Sequence, residues 1–370
     1  MIKPHCFTDE WLAHFKAQRA YRRIDKIILE KMIYALHLLE QLKINGLDFV
    51  FKGGTSLILL LESNNRFSID IDIICKTGRS EVEDILNSVI KGSRFTKWEL
   101  DTHRSYKPGI PKAHYKFFFD SNWRGSGTIL LDILIEDVIY PETIEKNIAN
   151  KWIETDALVT VMVPTIDAIT GDKLTAFAPD TIGIPYFKGS SNQSYSMEIC
   201  KQLFDLSQLF EHIEDVKLVA ESFKAFAVKE IIYREQNNKG PMLTPESVLN
   251  DTCNTCKIIA RRGKGTAEKQ KKFAELQKGI SAFGTGFLMS GNFRLDDALS
   301  ASAKVALLAS KILKSDFTPI VKYDAHDLKN WSIEHPDWNF LNRLKRQPDK
   351  SAFFYWHQTV SLLTKDTSAL

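Results

Sequence analysis

The chain has 370 residues, 44% of them hydrophobic, which is enough for a substantial core in two domains or in one large domain with an appendage. Its 49 Lys and Arg against 46 Asp and Glu give a formal net charge of +3, too small to indicate a nucleic-acid partner by itself. An odd set of five scattered cysteines excludes a disulfide scaffold, and no apolar run approaches the roughly 20 residues of a membrane span, so we expect a soluble cytoplasmic protein without a membrane partner.

Strand and helix patterns mix in the first half of the chain. Apolar residues at spacings of three and four predict N-terminal helices between Asp9 and about Leu42. A strand at Leu47 to Phe51, a Gly53-Gly54 turn and a helix at Thr55 to Leu61 follow. Further strands are predicted at Phe67 to Cys75, Phe95 to Asp101, His114 to Asp120, Gly127 to Glu136 and Val159 to Val163, with helices at Glu81 to Ile90 and Thr165 to Ala178.

The second half has mainly helical patterns, at Leu203 to Ile213, Val216 to Tyr233 and Leu295 to Leu313. The aromatic run at residues 353–356 is expected to pack a terminal helix into the core rather than to stack on bases. We therefore predict an α/β (α+β) fold with a mixed sheet. The predicted domains are N-terminal helices (1–45), an α/β catalytic domain (46–212) and a helical C-terminal domain (213–370).

Three aspartates are candidate metal ligands. Asp70 and Asp72 are two residues apart on a predicted strand, so both side chains project from one face, where they could hold Mg²⁺ or form a solvated acidic face. Asp132 is surrounded by aliphatic residues on its strand, so its charge needs compensation. A metal ion would provide it, and so would a buried cation such as Arg66 or Lys173.

The turn at residues 52–56 suits a phosphate. Gly53 and Gly54 allow a phosphate to approach the backbone, and the following helix offers free N–H groups with a positive dipole end. Thr55 and Ser56 add two hydroxyl groups. Glycine in a tight strand-to-helix turn also has a purely conformational explanation. Only the aspartates downstream therefore support the interpretation of this turn as a phosphate site.

Taken together, the segment from Lys52 to Leu57 and the pattern Arg66-x-Ser68-x-Asp70-x-Asp72 resemble the signature of the AbiEii-type toxin nucleotidyltransferases, in the polymerase-beta-like superfamily. The resemblance implies an enzyme that transfers nucleotides from an NTP, with Mg²⁺ or Mn²⁺ as cofactor. It assigns the metal to Asp70, Asp72 and Asp132. It assigns nucleotide binding to Gly53, Gly54, Thr55, Ser56, Arg66 and Ser68.

A second block also resembles this family. It implies that Lys173 contacts the triphosphate and takes part in catalysis with Asp205, and that Lys201 borders the nucleotide pocket. From the residues alone, the favoured interpretation of Lys173 is a solvated helix lysine. The block departs from the family pattern, because residues 179–197 intervene and Gln202 follows Lys201.

The resemblance further implies a toxin that modifies an acceptor, expected to be the 3′ end of tRNA, and that a cognate antitoxin neutralises. Alternatives are nucleotidylation of a protein or of a small molecule such as an antibiotic, or an inactive binding module. An RNA acceptor requires a basic surface. The candidate lies within residues 257–272, where an ordinary solvated face is the alternative, and comprises Arg261, Arg262, Lys264, Lys269, Lys271 and Lys272.

Overall fold

The computed structural model describes residues 1–22, 24–62, 66–105, 109–187, 189, 193–235, 242–325 and 327–364. These residues form two compact units. The first comprises Met1–Thr165 with Phe287–Gly291, and the second comprises Ile166–Gly286 with Asn292–Leu370. None of the helices in the described ranges is both long and apolar enough to cross a lipid bilayer.

A seven-stranded sheet forms the centre of the first unit. Its strands are β1 Val50–Lys52, β2 Ile71–Cys75, β3 Phe95–Leu100, β4 Lys112–Ser121, β5 Gly125–Ile135, β6 Thr143–Asn147 and β7 Thr160–Pro164. The strand order is β3-β4-β5-β2-β1-β7-β6. Strand β2 pairs parallel with β5, and β1 pairs parallel with β7, whereas the other neighbours are antiparallel. The predicted mixed sheet is confirmed.

Within its described residues, the first unit has five α-helices: α1 Asp9–Ala17, α2 Lys26–Ile44, α3 Gly53–Leu60, α4 Arg79–Gly92 and α5 Thr102–Ser105. Helix α2 begins where the Asp25 side chain accepts a hydrogen bond from the Ile27 N–H, a normal N-cap. It ends before Gly46, whose φ of +88° an L-residue rarely adopts. The apolar residues of α2 are buried over nearly its full length, which agrees with the predicted N-terminal helices.

Three strands differ from the prediction. Strand β1 begins at Val50 rather than at Leu47. Strand β2 begins at Ile71 rather than at residue 67, so Asp70 immediately precedes the strand instead of lying within it. Strand β6 was not predicted, because it pairs with β7 alone at the edge of the sheet and its five residues are exposed or half-buried. An edge strand of this kind lacks the apolar alternation that marks a strand in a sequence.

The second unit is mainly helical, as predicted. Its helices are α6 Ile166–Ala176, α7 Ser196–Phe210, α8 Val216–Glu235, α9 Pro245–Arg261, α10 Ala267–Gly286, α11 Leu295–Leu313 and α12 Ser351–Thr364. Helix α11 is buried along its length and packs against α7, α9 and α12. The four aromatic side chains at residues 353–356 are all buried within α12, which confirms their predicted packing role.

The boundary between the units falls at residue 165 rather than near residue 212. Helices α6 and α7 belong to the second unit, because α6 packs against α8 and α7 packs against α10 and α11. Gly171 permits the close approach of α6 and α8, since a Cβ there would lie 2.5 Å from the Val219 carbonyl oxygen. The predicted division into residues 1–45, 46–212 and 213–370 stays a prediction for the functional domains.

Candidate active site

A row of polar residues crosses four adjacent strands of the sheet. Lys52 on β1 pairs in register with Asp72 on β2, Asp72 pairs with Asp132 on β5, and Asp132 pairs with His114 on β4. Residues paired across strands project to the same face, at an interstrand distance of about 4.8 Å. The sheet therefore places two carboxylates side by side, with a lysine on one flank and a histidine on the other.

The glycine turn lies directly against this row. Gly53 has a φ of +75°, and a Cβ at this position would lie 2.2 Å from Asp72 Oδ2. Only glycine permits this approach without moving the carboxylate. The Thr55 hydroxyl donates a 2.6 Å hydrogen bond to the Asp70 carbonyl oxygen, which fixes the backbone of Asp70 to the turn. Asp70 itself is exposed.

The second glycine accommodates the other two residues of the motif. A Cβ at Gly54 would lie 2.4 Å from Arg66 Nη2 and 3.1 Å from Ser68 Oγ. Arg66 is buried, and its Nη1 donates a 3.0 Å hydrogen bond to the Phe67 carbonyl oxygen. The residues of the glycine turn therefore lie in contact with those of the Arg-x-Ser-x-Asp-x-Asp pattern in the first unit.

The hydroxyl groups of Thr55 and Ser56 serve the turn itself. Both residues are fully buried, and Ser56 Oγ donates a 2.9 Å hydrogen bond to the Gly53 carbonyl oxygen, just as Thr55 donates to Asp70. The two hydroxyl groups therefore hold the turn in this structure, and the binding of nucleotide by Thr55 and Ser56 stays a prediction. The backbone N–H groups of the first turn of α3 are the phosphate donors that this segment can offer.

Asp132 is neutralised by protein groups. Its Oδ2 accepts a 2.9 Å hydrogen bond from Arg104 Nη2, and its Oδ1 lies 2.6 Å from His114 Nδ1. The sequence predicted either a metal ion or a cation such as Arg66 or Lys173 for this carboxylate. Arg104, from the short helix α5, is the cation in this structure, and neither it nor His114 was identified from the sequence. His114 could be recognised as a partner of Asp132 only once the register between β4 and β5 is known.

Metal binding by Asp70, Asp72 and Asp132 together stays a prediction. Among the residues that the structure describes, no three His, Cys, Asp or Glu side chains are placed to hold a metal ion. Asp132 already has a partner on each oxygen. The other two carboxylates, Asp70 and Asp72, match in number what Mg²⁺ usually takes from a protein, which is one or two carboxylates, with substrate phosphates and water completing its shell.

Lys173, Lys201 and Asp205 belong to the second unit. Lys173 on α6 is 95% buried, and its Nζ donates a 2.7 Å hydrogen bond to Asp205 Oδ2 and a 3.3 Å bond to Gln202 Oε1. Gln202 and Asp205 are three residues apart on α7 and therefore share a face. The alternative of a solvated helix lysine is wrong for Lys173. Lys201 is half-buried on α7.

The sequence matches the family described as the nucleotidyl transferase AbiEii toxin of type IV toxin–antitoxin systems, over residues 37–262. This match covers more than half of the chain. The chain belongs to the AbiEii toxin family. It is therefore a nucleotidyltransferase, as the motifs around Gly53 and Asp70 predict. No curated protein matches the AbiEii sequence described here.

This AbiEii protein is also similar to a solved structure. The similar protein comes from H. pylori and has been assigned as a nucleotidyltransferase. The two sequences are 16% identical, and the alignment covers 78% of this chain and 97% of the other with a TM-score of 0.41.

The basic residues of this AbiEii protein at positions 261–272 differ in their contacts and exposure. Arg261 lies 4.3 Å from the centre of the Phe340 ring, Lys271 lies 5.5 Å from the centre of the Phe187 ring, Arg262 pairs with Asp296, and Lys272 pairs with Asp180 and Glu268. Burial lowers the pKa of Lys272, but these two carboxylates outweigh it and hold the pKa above its ordinary value. Lys264, Lys269 and Lys271 are exposed and remain candidates for an RNA contact.

Proposed function

We propose that this AbiEii nucleotidyltransferase transfers nucleotides from an NTP to the 3′ end of tRNA with Mg²⁺ or Mn²⁺, and that a cognate antitoxin neutralises it. The single observation that carries the metal-dependent chemistry is the contact between the glycine turn and the aspartates. The Asp72 carboxylate occupies the space that a side chain at position 53 would need. The Thr55 hydroxyl donates a hydrogen bond to the Asp70 carbonyl oxygen, which holds Asp70 at the same turn. Phosphate donors and metal ligands therefore meet in one short segment.

This geometry suits nucleotidyl transfer, which depends on alignment and charge stabilisation more than on covalent help from the protein. The N–H groups at the start of α3 would bind phosphate oxygens, aided by the positive end of the helix dipole. Asp70 and Asp72 would hold the divalent cation, which supplies charge neutralisation and polarises the attacking hydroxyl. Lys52 lies next to Asp72 in the polar row and adds positive charge at the same place.

The acceptor proposal rests on the exposed lysines at 264, 269 and 271 in the second unit. Cations and aromatic rings also alternate nearby: Lys257 Nζ lies 3.6 Å from the centre of the Trp338 ring. Burial lowers the pKa of Lys257 most, and the neighbouring Arg261 and Lys269 lower it further against the opposing effect of Asp337. A concentration of positive charge attracts a polyanion and accounts for most sequence-independent RNA affinity.

The first test compares the wild type with Asp70→Asn. Each protein is incubated with Mg²⁺, one labelled NTP at a time and total tRNA, and the products are separated on a denaturing gel. We expect label on tRNA with the wild type and a loss on the order of 1,000-fold with Asp70→Asn, because a bound cation contributes several kcal/mol to stabilisation of the transition state. Circular dichroism should show an unchanged fold, since Asp70 is exposed.

Asp48→Asn is the matched control, because it removes a carboxylate whose side chain is 94% exposed and lies outside the glycine turn. Its transfer rate should equal that of the wild type. Equal rates for the wild type and Asp70→Asn would refute the assignment of the site. Label on protein, or on an added antibiotic but not on tRNA, would refute the RNA acceptor and leave the nucleotidyltransferase chemistry intact.

A second prediction concerns the RNA surface. The triple variant with Lys264, Lys269 and Lys271 changed to glutamine should bind tRNA more weakly, and the slope of log K against log salt should fall by about two to three, roughly one for each lost phosphate contact. Changing Lys16, Lys91 and Lys224, which are also exposed, removes the same charge elsewhere and should leave the slope unchanged. Equal slopes for the two triple variants would exclude this surface.

A further inference from the structure

We propose that Arg104 binds the phosphates of the nucleotide, and that Asp132 and His114 position its guanidinium for this purpose. The proposal rests on the nucleotidyl transfer proposed above and assigns Asp132 a role other than that of third metal ligand. Asp132 then acts as a positioning residue. Arg104 becomes a substrate-binding residue at the carboxylate row.

The first support is the rigid mounting of Arg104 on strand β4. The Asp101 N–H donates a 2.8 Å hydrogen bond to the His114 carbonyl oxygen, so the residue before α5 is joined to β4. At the other end of α5, Ser105 Oγ accepts a 2.9 Å hydrogen bond from the His114 N–H. Ser105 Oγ also donates a 2.7 Å bond to the Asp101 carbonyl oxygen. The backbone of Arg104 is therefore held between two ties to one residue of the sheet.

The second support is the way in which Asp132 is bonded. His114 Nδ1 lies 2.6 Å from Oδ1, and Arg104 Nη2 donates to Oδ2 at 2.9 Å. His114 Nε2 is buried without a partner among the described residues, so the hydrogen bond to Asp132 determines the orientation of the ring. With His114 on one oxygen, the carboxylate has a fixed plane and presents the other oxygen to the guanidinium.

The third support is what Arg104 can still bind. Its side chain is 44% exposed although it forms an ion pair, whereas the Asp132 side chain is only 21% exposed. Within the described part of the chain, its guanidinium donates one side-chain hydrogen bond, from Nη2. A guanidinium carries five N–H donors in a planar arrangement that matches the oxygens of a phosphate. An exposed, oriented and partly used guanidinium is suited to an anionic ligand.

The position of Arg104 identifies the ligand as the substrate triphosphate. Asp132 pairs in register with Asp72, and Asp72 touches the glycine turn. Arg104 is therefore bonded to the carboxylate adjacent to the one that borders the proposed phosphate site. A nucleotide whose phosphates lie at the start of α3 brings negative charge to this face of the sheet, where Arg104 can neutralise it.

The test measures binding rather than turnover. Nucleotidyl transfer breaks the bond between the α phosphorus and the oxygen that bridges to the β phosphate, so an α,β-methylene NTP analogue binds without reacting. By calorimetry with Mg²⁺, Arg104→Gln should bind this analogue about tenfold more weakly or worse, the loss expected for a charged hydrogen bond. Binding of the corresponding nucleoside should stay unchanged. Arg104→Lys keeps the charge but not the planar donors, so its affinity for the analogue should lie between those of the wild type and Arg104→Gln.

Arg124→Gln provides the matched control, because Arg124 is exposed in the β4–β5 turn, at the opposite end of β5 from the carboxylate row. It should bind the analogue like the wild type. Unchanged affinity in Arg104→Gln, or an equal loss in Arg124→Gln, would overturn the proposal. If the wild type binds no NTP analogue at all, both this inference and the proposed function fail. If the wild type binds the analogue and Arg104→Gln binds it equally well, the proposed function stands without Arg104.

The positioning role of Asp132 has its own readout. Free Mn²⁺ can be followed by electron paramagnetic resonance during titration, without nucleotide. If Asp132 positions Arg104, Asp132→Asn should leave the Mn²⁺ affinity unchanged and should weaken the analogue in a way that is not additive with Arg104→Gln. A marked loss of Mn²⁺ affinity in Asp132→Asn would make Asp132 a metal ligand and overturn this assignment.

Discussion

Replacing Gly53 by alanine is expected to reduce nucleotide transfer on the order of 100-fold, because a displaced catalytic group typically costs that much. The new Cβ would lie 2.2 Å from Asp72 Oδ2, so the carboxylate must move. The positive φ of +75° adds a backbone cost of about 1–2 kcal/mol in the free energy of unfolding. Initial rates of transfer and urea unfolding of the same preparations measure the two effects separately.

Gly46→Ala separates the strain from the contact with Asp72. Gly46 has a φ of +88°, but a Cβ there would meet no atom within 4 Å. This variant should lose a similar 1–2 kcal/mol of stability and keep wild-type activity. Equal loss of activity in both variants would mean that global destabilisation, rather than displacement of Asp72, explains the effect at Gly53.

Replacing Lys173 by methionine is expected to lower the free energy of unfolding by about 3–5 kcal/mol, because it leaves the Asp205 carboxylate buried without its cation. Both side chains are nearly inaccessible, at 6% and 1% exposed, and their charged atoms are 2.7 Å apart. Urea unfolding should show a lower midpoint. Adding Asp205→Asn to Lys173→Met should recover part of the loss, since the amide does not carry the buried charge.

Lys304→Met is the control for this prediction. Lys304 pairs with Glu211 at 2.6 Å, but the two side chains are 19% and 40% exposed, so water screens the pair. The expected loss is about 0–1 kcal/mol. Equal shifts of the urea midpoint in the two variants would show that burial does not set the strength of the Lys173 pair.

Membership of the AbiEii family leaves the roles of individual residues to experiment, and the residues predicted from the motif differ in what the structure says of them. Asp70 and Asp72 lie against the glycine turn and suit a divalent cation. Thr55 and Ser56 direct their hydroxyls into the backbone of that turn instead. Asp132 is bonded to Arg104 and His114. The motif therefore combines residues that we propose bind ligands with residues that hold the turn in place.

The local features of this protein could be predicted from its sequence. The candidate site residues could be found from the sequence because they lie within 20 positions of one another: Gly53, Gly54, Asp70 and Asp72. A strand, turn and helix of this kind form from residues that are near neighbours in the chain. Periodicity likewise predicted α8 and α11 with their starts and, for α11, its end. These features depend on short-range patterns of side chains, so a single sequence is enough to find them.

The contacts between residues far apart in the sequence could not be predicted in this way, because they depend on the tertiary structure. Asp132 pairs with Asp72 and His114 because β5 lies between β2 and β4, an order that no periodicity in the chain reveals. Arg104 reaches Asp132 from a helix of four residues, too short to leave a pattern. The burial of Lys173 depends in the same way on the packing of α6 against α7. Charge compensation of a buried group is a property of its surroundings in space, and those surroundings come from parts of the chain far apart in sequence.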